Sequence, residues 1–206
     1  MGDRSRSGWA VLDVIDNGST RFLGNETWLI RHRSYTANQV DEYSIQRGND
    51  YVQVIGLTET GRAVLIIQDR VANGPSLEVV AGGIKKGQSA EQAAHAEFGD
   101  ESGWKARELV YLGSHIPQTD RIVSRTYGNN GAKRCHMFLA LGLSPSPQKL
   151  GSTEKIQPIL VPWETAVVAA ITDDPVAPLD LPLEDTGSRI IILLADRYLK
   201  ENKLFS

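Results

Sequence analysis

Two glutamates and a pair of glycines carry the chemistry that this sequence indicates most clearly. Glu97 and Glu101 are four residues apart, so on a helix they project from one face, and Asp100 lies near that face. Carboxylates this close repel one another unless a cation neutralises them. Mg²⁺ prefers oxygen ligands and is commonly held by one or two carboxylates together with substrate phosphate oxygens. We therefore expect these three side chains to bind Mg²⁺, with Mn²⁺ as an alternative.

A solvated acidic helix face is the other interpretation of the same spacing. The segment before the helix favours the metal site. Gly82 and Gly83 let the backbone turn tightly and approach a ligand, and the carbonyl of Ala81 would then point at the same cation. We accordingly expect the two glycines to contact the substrate.

The element that must position the glutamates is a helix predicted over residues 89–102. Ser89 is a suitable N-cap, and Gly103 lies where a left-handed C-terminal residue belongs. Ala94 and Phe98 recur at helical spacing and would face the core. Apolar runs predict strands from Trp28 onward and at residues 40–46, 51–57, 63–67, 77–80, 109–113, 136–141 and 156–161. Two further helices are predicted at residues 163–171 and 188–200.

Size and composition set the class of protein. The 206 residues, 41% of them hydrophobic, suit one large α+β domain or one domain with an appendage. A net charge of −3 does not favour nucleic-acid binding. A single cysteine excludes an internal disulfide framework and indicates a reducing compartment. No apolar run reaches the length of a signal peptide or a membrane span, so we expect a soluble, cytoplasmic protein with no membrane partner.

Residues 82–104 resemble the signature of the Nudix hydrolases, G-x5-E-x7-R-E-U-x-E-E-x-G-U, in which U is a bulky hydrophobe. The matching residues are Gly82, Glu97, Glu101 and Gly103, with Phe98 and Trp104 at hydrophobic positions and Asp100 in place of a glutamate. Gln88 and Ala96 stand where the family has its first glutamate and its arginine.

The resemblance implies that this missing pair would brace the loop against the helix. Here both charges are gone together. Losing one charge alone would leave the other unpaired and partly buried, at a cost of roughly 3–5 kcal/mol, whereas replacing both is nearly neutral. We interpret Gln88 and Ala96 as one coupled structural change that leaves the metal-binding glutamates in place. Weaker activity or an altered metal requirement is the alternative.

Residues 67–70, 77–84 and 28–58 resemble the corresponding parts of the ADP-ribose pyrophosphatase branch of the family. The resemblance implies an α+β Nudix fold, an α/β/α sandwich with a mixed sheet, over residues 49–206. It also implies a tail and a small N-terminal β element over residues 1–48, of the kind through which this branch forms homodimers.

The same resemblance assigns roles within the site. Mg²⁺ would be held by the Ala81 carbonyl, Glu97 and Glu101, and a glutamate downstream would act as base or orient water. Glu154 is the best-placed residue for that role. Glu164 is the alternative, although an acidic residue in the first turn of a helix is common for dipole reasons alone.

Basic side chains supply the candidate substrate contacts. Arg70 either contacts a phosphate or pairs with Glu78. Residues 118–134 form a long polar stretch whose Arg121 and Arg125 would close over an anionic substrate, because a polar loop of this length is unusual unless it is functional or disordered.

The implied activity is Mg²⁺-dependent hydrolysis of the diphosphate in ADP-ribose or a related small nucleoside-diphosphate compound, which yields a nucleoside monophosphate and a sugar phosphate. The neutral residues at positions 88 and 96 favour a different hypothesis, a Nudix-fold module that has lost catalysis and binds a nucleotide. A third hypothesis is a specialised-pathway hydrolase acting on an unusual diphosphate.

Overall fold

The computed structural model describes residues 10–19, 26–33, 40–70, 74–116, 122–124, 133–152, 154–172 and 174–204. These residues belong to two compact units. The first contains the strands β1 (Ala10–Ser19), β2 (Glu26–Arg33), β3 (Val40–Gly48) and β9 (Ile122–Ser124). The second contains every other helix and strand described here.

The first unit is a four-stranded sheet in the order β1-β2-β3-β9. Its first three strands pair antiparallel, and β9 pairs parallel to β3. The predicted strands from Trp28 and at residues 40–46 fall within β2 and β3. Strand β1 also lies within the segment 1–48 that is predicted as a tail and a small β element. The stretch 118–134 contributes β9 to this sheet.

Among the described residues, the second unit contains seven strands and three helices. The strands are β4 (Tyr51–Leu57), β5 (Arg62–Arg70), β6 (Gly74–Glu78), β7 (Val80–Gly83), β8 (Trp104–His115), β10 (Cys135–Pro145) and β11 (Ile156–Pro162). The helices are α1 (Ala90–Ser102), α2 (Trp163–Ile171) and α3 (Thr186–Glu201). The five main strands lie in the order β11-β5-β4-β10-β8, and only the pair β4–β10 is parallel, so the predicted mixed sheet is confirmed.

Two hydrophobic cores lie on opposite faces of this sheet because β4 alternates its side chains between them. Val52 and Val54 pack with Phe98 of α1 on one face. Ile55 packs with Trp163 of α2 and Ile191 of α3 on the other. This arrangement confirms the predicted α/β/α sandwich. In the part of the chain that the structure describes, no helix is long and apolar enough to span a membrane.

The strand predicted over residues 77–80 is in fact the junction of two strands. Up to Glu78 the chain pairs with β5, in the register Ile66↔Glu78. From Val80 onward it pairs with β4, in the register Val54↔Val80. The chain therefore changes partner at Val79, immediately before the glycines. A short apolar run cannot reveal such a change, because both strands bury the same residue types.

Candidate active site

Helix α1 is fixed at both ends by its own sequence. The Ser89 side chain accepts a hydrogen bond from the Gln92 backbone, and the Gln92 side chain accepts one from the Ser89 backbone, which completes a capping box. Gly103 ends the helix in the left-handed conformation at φ 71°. Both predicted ends are therefore confirmed, and Phe98 is fully buried as predicted.

Glu97 lies directly against β7 (Val80–Gly83), the glycine strand. A Cβ atom at position 82 would come within 2.5 Å of Glu97 Oε2, and closer still to its Cδ and Cγ atoms. Only glycine leaves room for this carboxylate at the backbone of β7. A Cβ atom at position 83 would meet no heavy atom within 4 Å, so the backbone there is open.

Glu101 is the buried carboxylate of the pair, at 7% exposure. Burial, followed by the charge of Glu97, raises the pKa of Glu101 to about 8, against smaller lowering effects from a backbone hydrogen bond of Ala81 and from Arg70. Its Oε2 atom is buried and has no hydrogen-bond partner among the described residues. An oxygen of this kind is costly to bury unless something else satisfies it.

Three charged side chains influence the pKa of Glu97. Burial raises the pKa of Glu97, and the nearby carboxylates of Asp100 and Glu154 act in the same direction, whereas Lys85 opposes them. Lys85 Nζ lies 3.9 Å from Glu97 Oε1, and its side chain is otherwise largely exposed. The helix face and the downstream loop thus concentrate negative charge beside the glycines.

These features fit a divalent cation. Within the described ranges, no group of three or more His, Cys, Asp or Glu side chains is arranged to hold a metal ion. The predicted set is smaller, two carboxylates and the Ala81 carbonyl, with substrate oxygens completing the shell. A bound cation would satisfy the buried Glu101 oxygen, which lacks a partner among the described residues. It would also favour the ionised forms of Glu97 and Glu101, whose pKa values are raised in its absence.

Gln88 closes the loop before α1 without help from the helix. Its Oε1 atom accepts a hydrogen bond from the backbone N–H of Lys85 at 3.1 Å, and its own N–H donates to the Lys85 carbonyl at 3.0 Å. A neutral amide therefore holds this turn, where the resemblance implies an ion pair between positions 88 and 96.

The segment that carries Glu154 is tied to the end of α1. The Lys149 N–H donates to the Asp100 carbonyl at 2.9 Å, and Gln148 Nε2 donates to the Glu101 carbonyl at 2.6 Å. Glu154 itself accepts a hydrogen bond from the Gly151 N–H at 2.6 Å and is exposed. Nothing in the sequence singles out Gln148, whose amide joins this segment to the last turn of α1.

The two glutamates considered for the role of base lie in different places. Glu154 acts electrostatically on both Glu97 and Glu101. Glu164 lies in the first turn of α2, whose Trp163 packs on the face of the sheet opposite to α1. The geometry therefore favours Glu154.

Arg70 forms an ion pair with Glu78, which is one of the two roles predicted for it. Its Nε donates to Glu78 Oε1 at 2.9 Å, and its Nη2 contacts Glu78 Oε2. Glu78 is buried, while the Arg70 side chain is 44% exposed and close enough to Glu101 to lower its pKa. Arg121 and Arg125, the other basic candidates, lie outside the described residues.

Comparison with known proteins identifies the family. Residues 49–179, more than half of the chain, match the model of the NUDIX domain. A search of curated proteins finds no match. The fold is similar to a crystal structure described as an ADP compounds hydrolase, with a TM-score of 0.71, 16% sequence identity and coverage of 94% of this chain and 95% of that one. The chain therefore belongs to the NUDIX domain family.

Proposed function

We propose that this protein hydrolyses the diphosphate of ADP-ribose or of a related nucleoside-diphosphate compound, with Mg²⁺ as its metal and Mn²⁺ as a substitute. The observation that carries the proposal is the buried Glu101 oxygen, which has no hydrogen-bond partner among the described residues, beside a second carboxylate that lies against the glycine backbone. The likeness to the ADP compounds hydrolase supports the substrate class only at the level of the fold.

Glu97, Glu101 and the Ala81 carbonyl would hold the cation, with Asp100 adding negative charge beside Glu97. When bound, the cation neutralises the negative oxygens that otherwise repel an attacking nucleophile. Gly83 offers an open stretch of backbone to the phosphates, and Arg70, anchored on Glu78, offers a cation within electrostatic reach of Glu101. Arg121 and Arg125 stay in the proposal as further substrate contacts.

Glu154 accepts the proton of the attacking water. The oxygen of that water forms a bond to one phosphorus while the bond from this phosphorus to the bridging oxygen breaks. The bridging oxygen leaves with the second phosphate, so the products are a nucleoside monophosphate and a sugar phosphate. Positioning and electrostatic stabilisation supply most of the acceleration in reactions of this type.

A substrate panel tests the proposal. ADP-ribose, nucleotide sugars, NADH and diadenosine polyphosphates are each incubated with Mg²⁺ or Mn²⁺, and phosphate is measured after a coupled phosphatase. We expect turnover of at least one compound, and a loss of about 1,000-fold in Glu101→Gln with its melting transition retained. An active Glu101→Gln enzyme would refute the assignment of this site.

Gln88 and Ala96 support a second candidate, a nucleotide-binding module without catalysis. Tight nucleotide binding with no turnover of any compound in the panel would replace the first proposal with this one.

We also propose a homodimer in the cytoplasm. The dimer is supported by the resemblance of the N-terminal strands to those of the ADP-ribose pyrophosphatase branch, and the compartment by the single cysteine of the sequence, which allows no internal disulfide framework. Light scattering of the full chain tests the dimer, and a monomer at micromolar concentration would contradict it.

A further inference from the structure

A chain of hydrogen bonds, partly exposed at Asp185 and buried at Ser188 and Val79, lies behind the glycine strand, on the face of the sheet opposite to α1. Asp185 caps the first turn of α3, and its Oδ2 atom accepts hydrogen bonds from both the backbone N–H and the hydroxyl of Ser188, each at 2.6 Å. The Ser188 oxygen in turn accepts a hydrogen bond from the backbone N–H of Val79 at 3.0 Å. Ser188 and Val79 are both fully buried.

Val79 is the residue at which the chain leaves β5 and joins β4. Its N–H falls between the two ladders, and a buried N–H without an acceptor is costly, so the serine hydroxyl completes the sheet at this point. The hydroxyl donates to Asp185 and accepts from Val79, which fixes its orientation from both sides. The end of α3 therefore holds the backbone two residues before Ala81.

The same helix end is locked onto the strand beside Ala81. Gln53 is the register partner of Ala81 on β4, and its Nε2 atom donates to Asp185 Oδ2 at 3.2 Å. A Cβ atom at Gly187 would come within 2.5 Å of that Nε2 atom, so the helix and the strand approach as closely as glycine allows. Ala81 thus has the carboxylate of Glu101 in front of the sheet and this polar cap behind it.

We propose that Ser188 and Asp185 are positioning residues for the active site: through Val79 they fix where Ala81 presents its backbone to Glu101 and to the cation. This inference rests on the proposed function and goes beyond it, because neither residue belongs to the Nudix signature segment or lies on the face of the sheet that carries Glu97 and Glu101.

The test is Ser188→Ala in the full-length protein, with Asp196→Ala as the matched control. Asp196 also lies on α3, and it accepts a hydrogen bond from Trp163 Nε1 of α2 at 3.2 Å. It therefore joins α3 to α2, whereas Ser188 joins α3 to Val79, immediately before the glycine strand. We expect Ser188→Ala to lower kcat about tenfold and to raise the half-saturating Mg²⁺ concentration, with KM changed less than threefold. Asp196→Ala should leave all three within twofold, and Ser188→Thr, which keeps the hydroxyl, should recover most of the loss.

Deuterium exchange of the metal-free protein provides a readout that does not depend on turnover. The amides of residues 79–81 should exchange at least tenfold faster in Ser188→Ala than in the wild type, and should be unchanged in Asp196→Ala. Equal effects of Ser188→Ala and Asp196→Ala on kcat, metal activation and exchange would overturn the proposal, because a loss of stability alone would then explain them.

Two further outcomes, an unfolded Ser188→Ala variant and an inactive wild type, also bear on the proposal. If Ser188→Ala does not fold, Asp185→Asn replaces it, with about a threefold loss of kcat expected, and wild-type kcat together with wild-type exchange would overturn the proposal. If the wild type hydrolyses nothing, the proposed function fails, whereas the exchange rates still decide whether Ser188 fixes residues 79–81.

Discussion

The carboxyl group of Glu97 occupies the space that a side chain at position 82 would need. A methyl group there forces the carboxylate away from the β7 backbone, and displacements of about 1 Å in a catalytic site cost about 100-fold in rate. We therefore expect Gly82→Ala to lose at least about 100-fold in kcat/KM in the assay that detects hydrolysis, while the far-ultraviolet circular dichroism spectrum stays that of the wild type.

Gly99→Ala is the matched control, because a Cβ atom at position 99 of α1 has its nearest neighbour at 3.9 Å. That variant should keep its activity and gain roughly 0.5–1 kcal/mol in free energy of unfolding, since glycine is a poor helix former. Full activity in Gly82→Ala would contradict the placement of Glu97.

Glu101 makes the stability of the metal-free protein depend on pH. Its pKa is about 8 in the folded state and near 4.5 when the chain unfolds, so the folded protein retains a proton that the unfolded chain releases. The stability contributed by this group is complete below pH 4.5 and is lost as the pH rises toward 8. In chelator, we expect the free energy of unfolding measured with urea to fall between pH 5 and pH 8, with this one group contributing at most about 1.4 kcal/mol per pH unit.

Glu101→Gln should show a smaller fall over the same range, because the raised pKa of Glu97 still contributes to it. Added Mg²⁺ should stabilise the wild type most at pH 8, because a cation binds the ionised carboxylates of the folded state. A wild type whose stability in chelator rises from pH 5 to pH 8 would show that the environment of Glu101 is different in solution.

Arg70 combines a structural role with a proposed substrate contact, and the two can be separated. Arg70→Met leaves the buried Glu78 carboxylate without its ion-pair partner, so we expect a loss of about 2 kcal/mol in unfolding free energy. The double variant Arg70→Met/Glu78→Leu removes both charges and should recover most of that loss. Its KM should nevertheless stay raised about fivefold or more if the guanidinium contacts the diphosphate. A wild-type KM in the double variant would leave Arg70 with its structural role alone.

Glu154→Gln tests the proposed base. The amide retains an oxygen that can accept the hydrogen bond from Gly151, but it cannot take a proton from water. We expect kcat to fall about 100-fold or more, with the half-saturating Mg²⁺ concentration changed less than threefold. Glu164→Gln, in the first turn of α2, should keep the wild-type kcat. Equal kcat values for the two variants would remove Glu154 from the mechanism.

Local signals in the sequence were sufficient for the helix that carries the glutamates. Ser89, Gln92 and Gly103 act within one or two turns of their own positions, so the ends of α1 follow from neighbouring residues. The sequence also predicts that position 82 needs glycine for a close approach to the backbone. It does not show that the approaching group is the carboxylate of Glu97, fifteen positions further along.

The features that the sequence did not reveal depend on contacts between distant residues. The exchange of strand partners at Val79 is stabilised by Ser188, which follows 109 residues later, and no periodicity records such a contact. The segment that carries Glu154 is joined to the end of α1 by the amide of Gln148, which contacts a residue 47 positions away in the sequence. Long-range hydrogen bonds of this kind are decided by the packed fold, not by the local preference of either residue.

The turn that Gln88 closes has an evolutionary consequence. Its two hydrogen bonds join residues only three positions apart, so the turn does not depend on any charge at position 96. In a chain braced by an ion pair, a substitution at either end must be compensated at the other. We therefore expect positions 88 and 96 to be independent in the present chain, so a double-mutant cycle between them should give a coupling energy near zero.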